Sequence, residues 1–339
     1  MADSQEPDGF AGGTVLTSSP SASPPKGQSS PSASERVAIL LSTYNGERFL
    51  AEQLDSLIAQ THKDWTIYAS DDGSSDATLD ILAKYRAQLG DDRLVIVQGP
   101  RQGFAANFLS LLAREEIQAP YFAFCDQDDL WIPERLAMGL DWMRGLPADR
   151  PALFCSRTQL IDSGGKPIGL SPLFLRPPTF ENALVQSIAG GNTMLFNAST
   201  RELLRQTPKG EHIISHDWWT YLLVTGCGGH VSYDPRPTVD YRQHGRNLVG
   251  SNASLQERVV RVCKMFKGTF REWMDANLHA LTVFRPHLTP DHQLTLQLFE
   301  QARASALPKR LQLIRKSGVH RQSPLGTLGL TAAAILHRI

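Results

Sequence analysis

From residue 37 onward, short apolar runs alternate with stretches whose apolar positions recur three and four apart. Val37–Ala38–Ile39–Leu40–Leu41 is apolar without interruption, as strands buried on both faces of a parallel sheet are. It ends in the polar Ser42–Thr43–Tyr44–Asn45–Gly46, whose Asn-Gly pair signals a turn. Leu50, Leu54, Leu57 and Ile58 then mark one face of a helix. The cycle repeats with a strand at 66–70, the acidic run Asp71–Asp72–Gly73–Ser74–Ser75–Asp76, and a helix carrying Leu79, Ile81, Leu82 and Tyr85. Ser74 or Ser75 is the expected cap of that helix. A third strand at 94–97 leads to a helix with Phe104, Phe108, Leu111 and Leu112 on its apolar face and Asn107 among them. The fourth strand, Tyr121–Phe122–Ala123–Phe124–Cys125, runs straight into Asp126–Gln127–Asp128–Asp129, and a helix is expected over 133–143. This βαβαβαβ pattern predicts an α/β domain with a mostly parallel sheet and helices on both faces. Ligands of such sheets bind at the carboxyl ends of the strands, where the polar clusters fall.

Beyond residue 143 the alternation breaks. A strand is expected at 152–156, continued or flanked by 158–161, and a long Gly/Pro-rich loop at 163–180. Gly190 and Gly191 precede Asn192 and a short strand; paired glycines admit a closely approaching ligand or make a turn. His216–Asp217–Trp218–Trp219 opens a helix, with Asp217 a site residue or the helix N-cap. Two short strands, near 229–233 and 237–242, end in Tyr241–Arg242–Gln243–His244–Gly245–Arg246–Asn247, and the remainder reads as helical.

Residues 1–34 are Ser, Pro, Ala and Gly with few large apolar side chains, too little to offset ordering entropy, and read as a disordered tail. The 339 residues carry 34 basic and 34 acidic side chains, so no global field favours nucleic acid. The balance shifts at the end: after Glu300 no acid occurs, while Lys309, Arg310, Arg315, Lys316 and Arg321 precede the apolar Leu325, Leu328, Leu330, Ile335 and Leu336. That run is too short to span a bilayer but long enough to lie in its interface, or to pack on the domain itself. Cys125, Cys155, Cys227 and Cys263 show no metal-site spacing, and free thiols suit a reducing compartment. With no signal peptide and no spanning run, the expected location is cytoplasmic, or peripheral on the cytoplasmic face of a membrane.

Candidate chemistry centres on Asp126, Asp128 and Asp129. Carboxylates packed this closely repel, and a divalent cation such as Mg²⁺ relieves them while leaving positions for substrate phosphates. Acids decorating a helix N-terminus are the other reading. Neither G-x-G-x-x-G nor G-x-x-x-x-G-K-[ST] is present, which disfavours NAD-type and P-loop sites.

Taken in order, Ser42–Gly46, Ser70–Asp71–Asp72–Gly73–Ser74, Asp126–Gln127–Asp128–Asp129 and Asp217 resemble the signature clusters of family 2 glycosyltransferases with the GT-A nucleotide-diphospho-sugar fold. The resemblance covers about residues 36–250, giving expected segments of 1–34 (tail), 35–250 (GT-A domain) and 251–339 (C-terminal helical region). His216–Trp219 and Tyr241–Asn247 look like a bacterial subgroup of rhamnosyltransferases. The resemblance implies an enzyme of the hexosyltransferase class that inverts the anomeric centre with the help of Mg²⁺ or Mn²⁺. Ser42 and Tyr44 would line the base and ribose, Asp72 would accept from the base, and Asp126 would contact the ribose or a metal-bound water. Asp128 would bind the metal with His244 completing its shell, and Asp217 would be the catalytic base. Arg242, Arg246 and Asn192 would touch the diphosphate or acceptor. Two departures stand out: His216 replaces the Glu that often precedes the base, and the Trp of the processive Gln-x-x-Arg-Trp motif is missing after Arg246. Transfer of a single sugar is therefore expected, from dTDP-rhamnose or a UDP-hexose to a saccharide or lipid-linked acceptor in surface-polysaccharide synthesis. A sugar-1-phosphate nucleotidyltransferase would need basic residues after the first strand, and a non-catalytic binding protein would not need all four aspartates.

Overall fold

The computed structural model describes residues 35–244 and 269–339. The 1–34 tail, the 250/251 boundary, Cys263 and Arg246 lie outside the described residues. Strands β1 (Val37–Thr43), β2 (Trp65–Asp71), β3 (Leu94–Gln98) and β4 (Tyr121–Asp126) form a parallel half-sheet in the order β3-β2-β1-β4. Its register explains the site. Val37 pairs with Trp65 and with Tyr121, so β1, β2 and β4 start level and also end level. Ser42 therefore sits between Ser70 and Asp126 in one row.

The sheet continues through β8 (Leu195–Asn197), antiparallel to β4, then β6 (Ala152–Ile161), β9 (His230–Arg242) and the two-residue β5 (Leu130–Trp131). Here the structure departs from the sequence pattern. The stretches 229–233 and 237–242 are one strand, because β9 carries its prolines through register shifts opposite Ser156 and Arg157 and then resumes pairing. The loop expected at 163–180 contains β7 (Pro167–Leu170), which pairs antiparallel with β6. All four of its residues are exposed, and a strand this short, with Pro167 and Gly169 in it, offers only Ile168 and Leu170 as a period to read.

Alternation along β1 divides the core. Ala38 and Leu40 face one layer with α3 (Phe104–Ala113), the one-turn α5 (Phe180–Ala183), α6 (Ala198–Arg205) and α7 (His216–Gly226). Val37, Ile39 and Leu41 face the other, with α1 (Leu50–Ile58), α2 (Thr78–Leu89) and α4 (Arg135–Met143). The cap before α2 is not Ser74 or Ser75. Ser74 Oγ donates to Asp71 Oδ2 at 2.5 Å, the N-cap position is Ala77, which has no capping side chain, and the first helical N–H, of Thr78, donates to Asp76 at 3.0 Å. The C-terminal helices α8 (Thr269–Leu281), α9 (Pro290–Ala304), α10 (Leu307–Ser317) and α11 (Pro324–Ile335) are built into the first layer. Phe284 meets Trp219 edge-on at 5.5 Å, and Thr289 N–H donates to Gly226 C=O. Among the described residues no helix is long and apolar enough to cross a membrane.

Candidate active site

The carboxyl ends of the parallel strands are fastened to one another by side chains. Asn107, fully buried on α3, donates to Ser42 Oγ (2.7 Å) and Ser70 C=O (2.8 Å) and accepts from Ser70 Oγ (2.6 Å). A polar residue on the apolar face of a helix was the sequence signal for this tie, and Ser42 is held by it. Asp71 makes a tight local turn, accepting from Gly73 and Ser74 N–H and from Thr43 Oγ1. Asp72 is turned the other way: its two oxygens accept from Arg101 N–H (2.6 Å) and Gly103 N–H (2.8 Å), fixing the loop after β3.

Gln127, the residue between the two motif aspartates, reaches back to β1. Its amide oxygen accepts from Tyr44 N–H (2.8 Å) and its amide nitrogen donates to Tyr44 C=O (2.9 Å), like one rung of a sheet. Gly46 leaves the room for it, since a Cβ there would overlap the Gln127 amide. The Tyr44 ring is 58% exposed at the rim.

The acidic cluster is asymmetric. Burial pushes the Asp126 carboxyl up to about 8, and the charges of Asp128 and Asp217 add to the effect. Asp128 Oδ2 lies 2.8 Å from His244 Nε2, so these two expected metal ligands are adjacent. Asp129 is fully buried and points inward: Oδ2 accepts from Asn192 Nδ2 (2.5 Å) and Oδ1 from Arg242 N–H (3.0 Å). Arg242 is buried too, donating to Asp128 C=O, Ser163 C=O and Glu52 Oε2, with its guanidinium over the Phe49 ring. These contacts are with protein groups that brace the Asp128 loop. Asn192 is likewise buried, its carbonyl accepting from Arg135.

Asp217 stands in the first turn of α7, behind the N-cap residue Ser215, whose hydroxyl donates to it. Burial pushes its carboxyl up to about 6, against backbone N–H groups of Trp218, Gly191 and Asp217 itself that favour the charged form. His216 faces away into the core, stacked on Phe108 at 4.0 Å and edge-on to Phe124 at 4.7 Å. Burial holds it down at about 3, so it is a neutral aromatic plug.

Among the described residues no three His, Cys, Asp or Glu side chains form a complete cage for a metal. The donors nonetheless fit a divalent cation that completes its shell with substrate oxygens. A carboxylate and an imidazole lie side by side, with a second carboxylate two residues away whose charge is disfavoured without a counter-ion.

A parallel sheet whose strand ends gather a D-x-D pair, a polar first-strand end and a carboxylate on a separate helix defines the GT-A class of sugar transferases. Residues 38–207, half of the chain, match the family model described as glycosyl transferase family 2, and the chain belongs to that family and is a glycosyltransferase. It is similar to the dTDP-rhamnosyl transferase RfbG of Shigella flexneri, 27% identical over 231 residues covering 66% of this chain and 78% of that one. It is also similar to the putative teichuronic acid biosynthesis glycosyltransferase TuaG of Bacillus subtilis, 28% identical over 165 residues. That match covers 48% of this chain and 62% of TuaG, just under two thirds of its length. Among solved structures, S. aureus TarS 1-349 matches with a TM-score of 0.50 at 15% identity, over 89% of this chain and 88% of that one, a likeness of fold.

Proposed function

We propose that this chain transfers one sugar, with inversion, from a nucleoside-diphosphate sugar to a hydroxyl of a saccharide or lipid-linked acceptor in surface-polysaccharide synthesis. What supports this reading is geometry at the end of β4, where Asp128 Oδ2 lies 2.8 Å from His244 Nε2 beside Asp126, together with the charge of Asp217 on α7, which reaches Asp126. Ser42, Tyr44 and Asp72 would border the nucleotide. Asp128 and His244 would hold a divalent cation beside Asp126; when bound, that cation offsets the charge left on the departing diphosphate. Asp217 accepts the acceptor hydroxyl proton as the new bond forms at the anomeric carbon and the bond to the diphosphate oxygen breaks. A carboxyl at about 6 is a better base than an ordinary Asp and is still ionised at neutral pH. The name of the Shigella relative supports dTDP-rhamnose as donor. Anionic lipid is proposed as a peripheral partner of the C-terminal helices.

A hydrolysis screen tests the reading, because transferases of this kind leak donor to water. The chain with Mn²⁺ is incubated with dTDP-rhamnose, UDP-glucose and UDP-N-acetylglucosamine, and release of the nucleoside diphosphate is followed. Release from dTDP-rhamnose, lost in Asp217→Asn, is expected. Release from a UDP-hexose alone would replace the donor, and release from none would remove the transferase mechanism.

A further inference from the structure

We infer that Asp129 is a positioning residue that locks the metal-side and base-side halves of the site into one frame. The inference rests on the transferase reading above, but its geometry is separate. The site is assembled from chain segments far apart in sequence: the Asp126–Asp129 turn, the end of β9, the 190–194 turn and the start of α7. Asp129 touches two of the others at once. One oxygen takes the Arg242 N–H, two residues before His244, and His244 in turn contacts Asp128. The other takes the Asn192 side chain, at the turn whose Gly191 packs directly against the ring of His216, the residue before Asp217. That turn has little freedom of its own. Asn192 C=O is held by the buried Arg135 at 2.8 Å, and a Cβ at Gly191 would overlap the His216 ring.

The two arms predict different damage. Buried hydrogen bonds to a carboxylate matter chiefly through the partners they leave unpaired, so losing one arm displaces what that arm holds. Asn192→Ala cuts only the base arm. Asp129→Ala cuts both. The reversed pair, Asp129→Asn with Asn192→Asp, keeps an acceptor for Arg242 N–H and a donor facing an acceptor between positions 129 and 192.

The test measures Mn²⁺-dependent dTDP and UDP binding by calorimetry, and donor hydrolysis, on the full chain. Asn192→Ala is expected to lower turnover about tenfold or more while nucleotide affinity stays within about twofold. Asp129→Ala is expected to lower both, with affinity falling about fivefold or more. The reversed pair should recover most of each loss. A merely structural role would move melting temperature and both readouts together in every variant. Equal loss of nucleotide affinity in Asn192→Ala and Asp129→Ala overturns the inference, as does wild-type behaviour of Asp129→Ala. If Asp129→Ala does not fold, the reversed pair decides: no recovery over Asn192→Ala overturns it. Absent donor turnover in the wild-type chain would count against the transferase reading alone, and the binding measurements would still test the metal-side arm.

Discussion

Asp217 and His216 are neighbours in sequence that burial shifts in opposite directions, each toward its neutral form, and that contrast sets the pH behaviour. Asp217 is raised to about 6 by burial, so its proton-accepting form is depleted below that value. Donor turnover should therefore rise with pH through about 6 and level off above it, as a pH–rate series would show. Asp217→Asn keeps size and shape but cannot accept the proton, so turnover should fall by about 10²–10⁴-fold with nucleotide affinity nearly unchanged. His216, neutral and stacked on Phe108, contributes no titration in this range. His216→Phe should leave the midpoint of the pH profile in place; a shift of that midpoint would give His216 a part in proton transfer. Asp128→Ala should abolish Mn²⁺-dependent nucleotide binding while the fold persists, since a carboxylate relieved of like-charged neighbours seldom destabilises when removed. Retained binding would detach Asp128 from the metal.

The elements divide by how much of their environment is local. Strands β1 to β4 were legible because a strand buried on both faces reads as a continuous apolar run, and their register brings Ser42, Ser70 and Asp126 level. Strand β9 reads in the sequence as two short strands, because Pro235 and Pro237 interrupt it, and the structure accommodates the interruption at register shifts. The same division runs through the site. Asp126, Asp128 and Asp217 stood out as a motif, whereas the clamps of Gln127 on Tyr44 and of Asp129 on Asn192 join residues 83 and 63 positions apart. No period along the chain encodes such pairs. Asp72 shows what one of these ties does for an element. Its two oxygens supply the acceptors for Arg101 and Gly103 N–H, so Asp72→Ala should free the 99–103 loop. Hydrogen exchange at those two amides should quicken at least about tenfold while β1 and β2 stay protected. Unchanged exchange would mean that the loop is held by other contacts.

At the scale of the whole molecule, the acid-free C-terminus serves two faces. Leu313, Ile314, Leu330, Ala333 and Ala334 are core residues, and Arg310 is buried with its guanidinium on Ala334 and Ser305 C=O. Arg321 lies over the Phe270 ring. Lys309, Arg315 and Lys316 remain exposed, as do Leu325 at 81% and Leu328 at 65%. A second acid-free stretch adjoins them: Arg176 N–H donates to Gln322 Oε1, next to Leu175, which is 82% exposed. Large exposed leucines beside basic side chains suit an anionic bilayer surface. Each basic residue near such a leaflet contributes on the order of 1 kcal/mol, screened by salt; that would suffice for the reversible membrane contact proposed above, which would set the site beside a lipid-linked acceptor. Deleting α10 and α11 would strip the core, so point variants on the outer face are the sound test. The intact chain should pellet with anionic vesicles at low salt, release as salt rises, and ignore zwitterionic vesicles. Leu325→Ser with Leu328→Ser should cut pelleting sharply at unchanged melting temperature, and Leu175→Ser should add to the loss. Equal pelleting of these variants and the parent chain would leave the outer face without a membrane role.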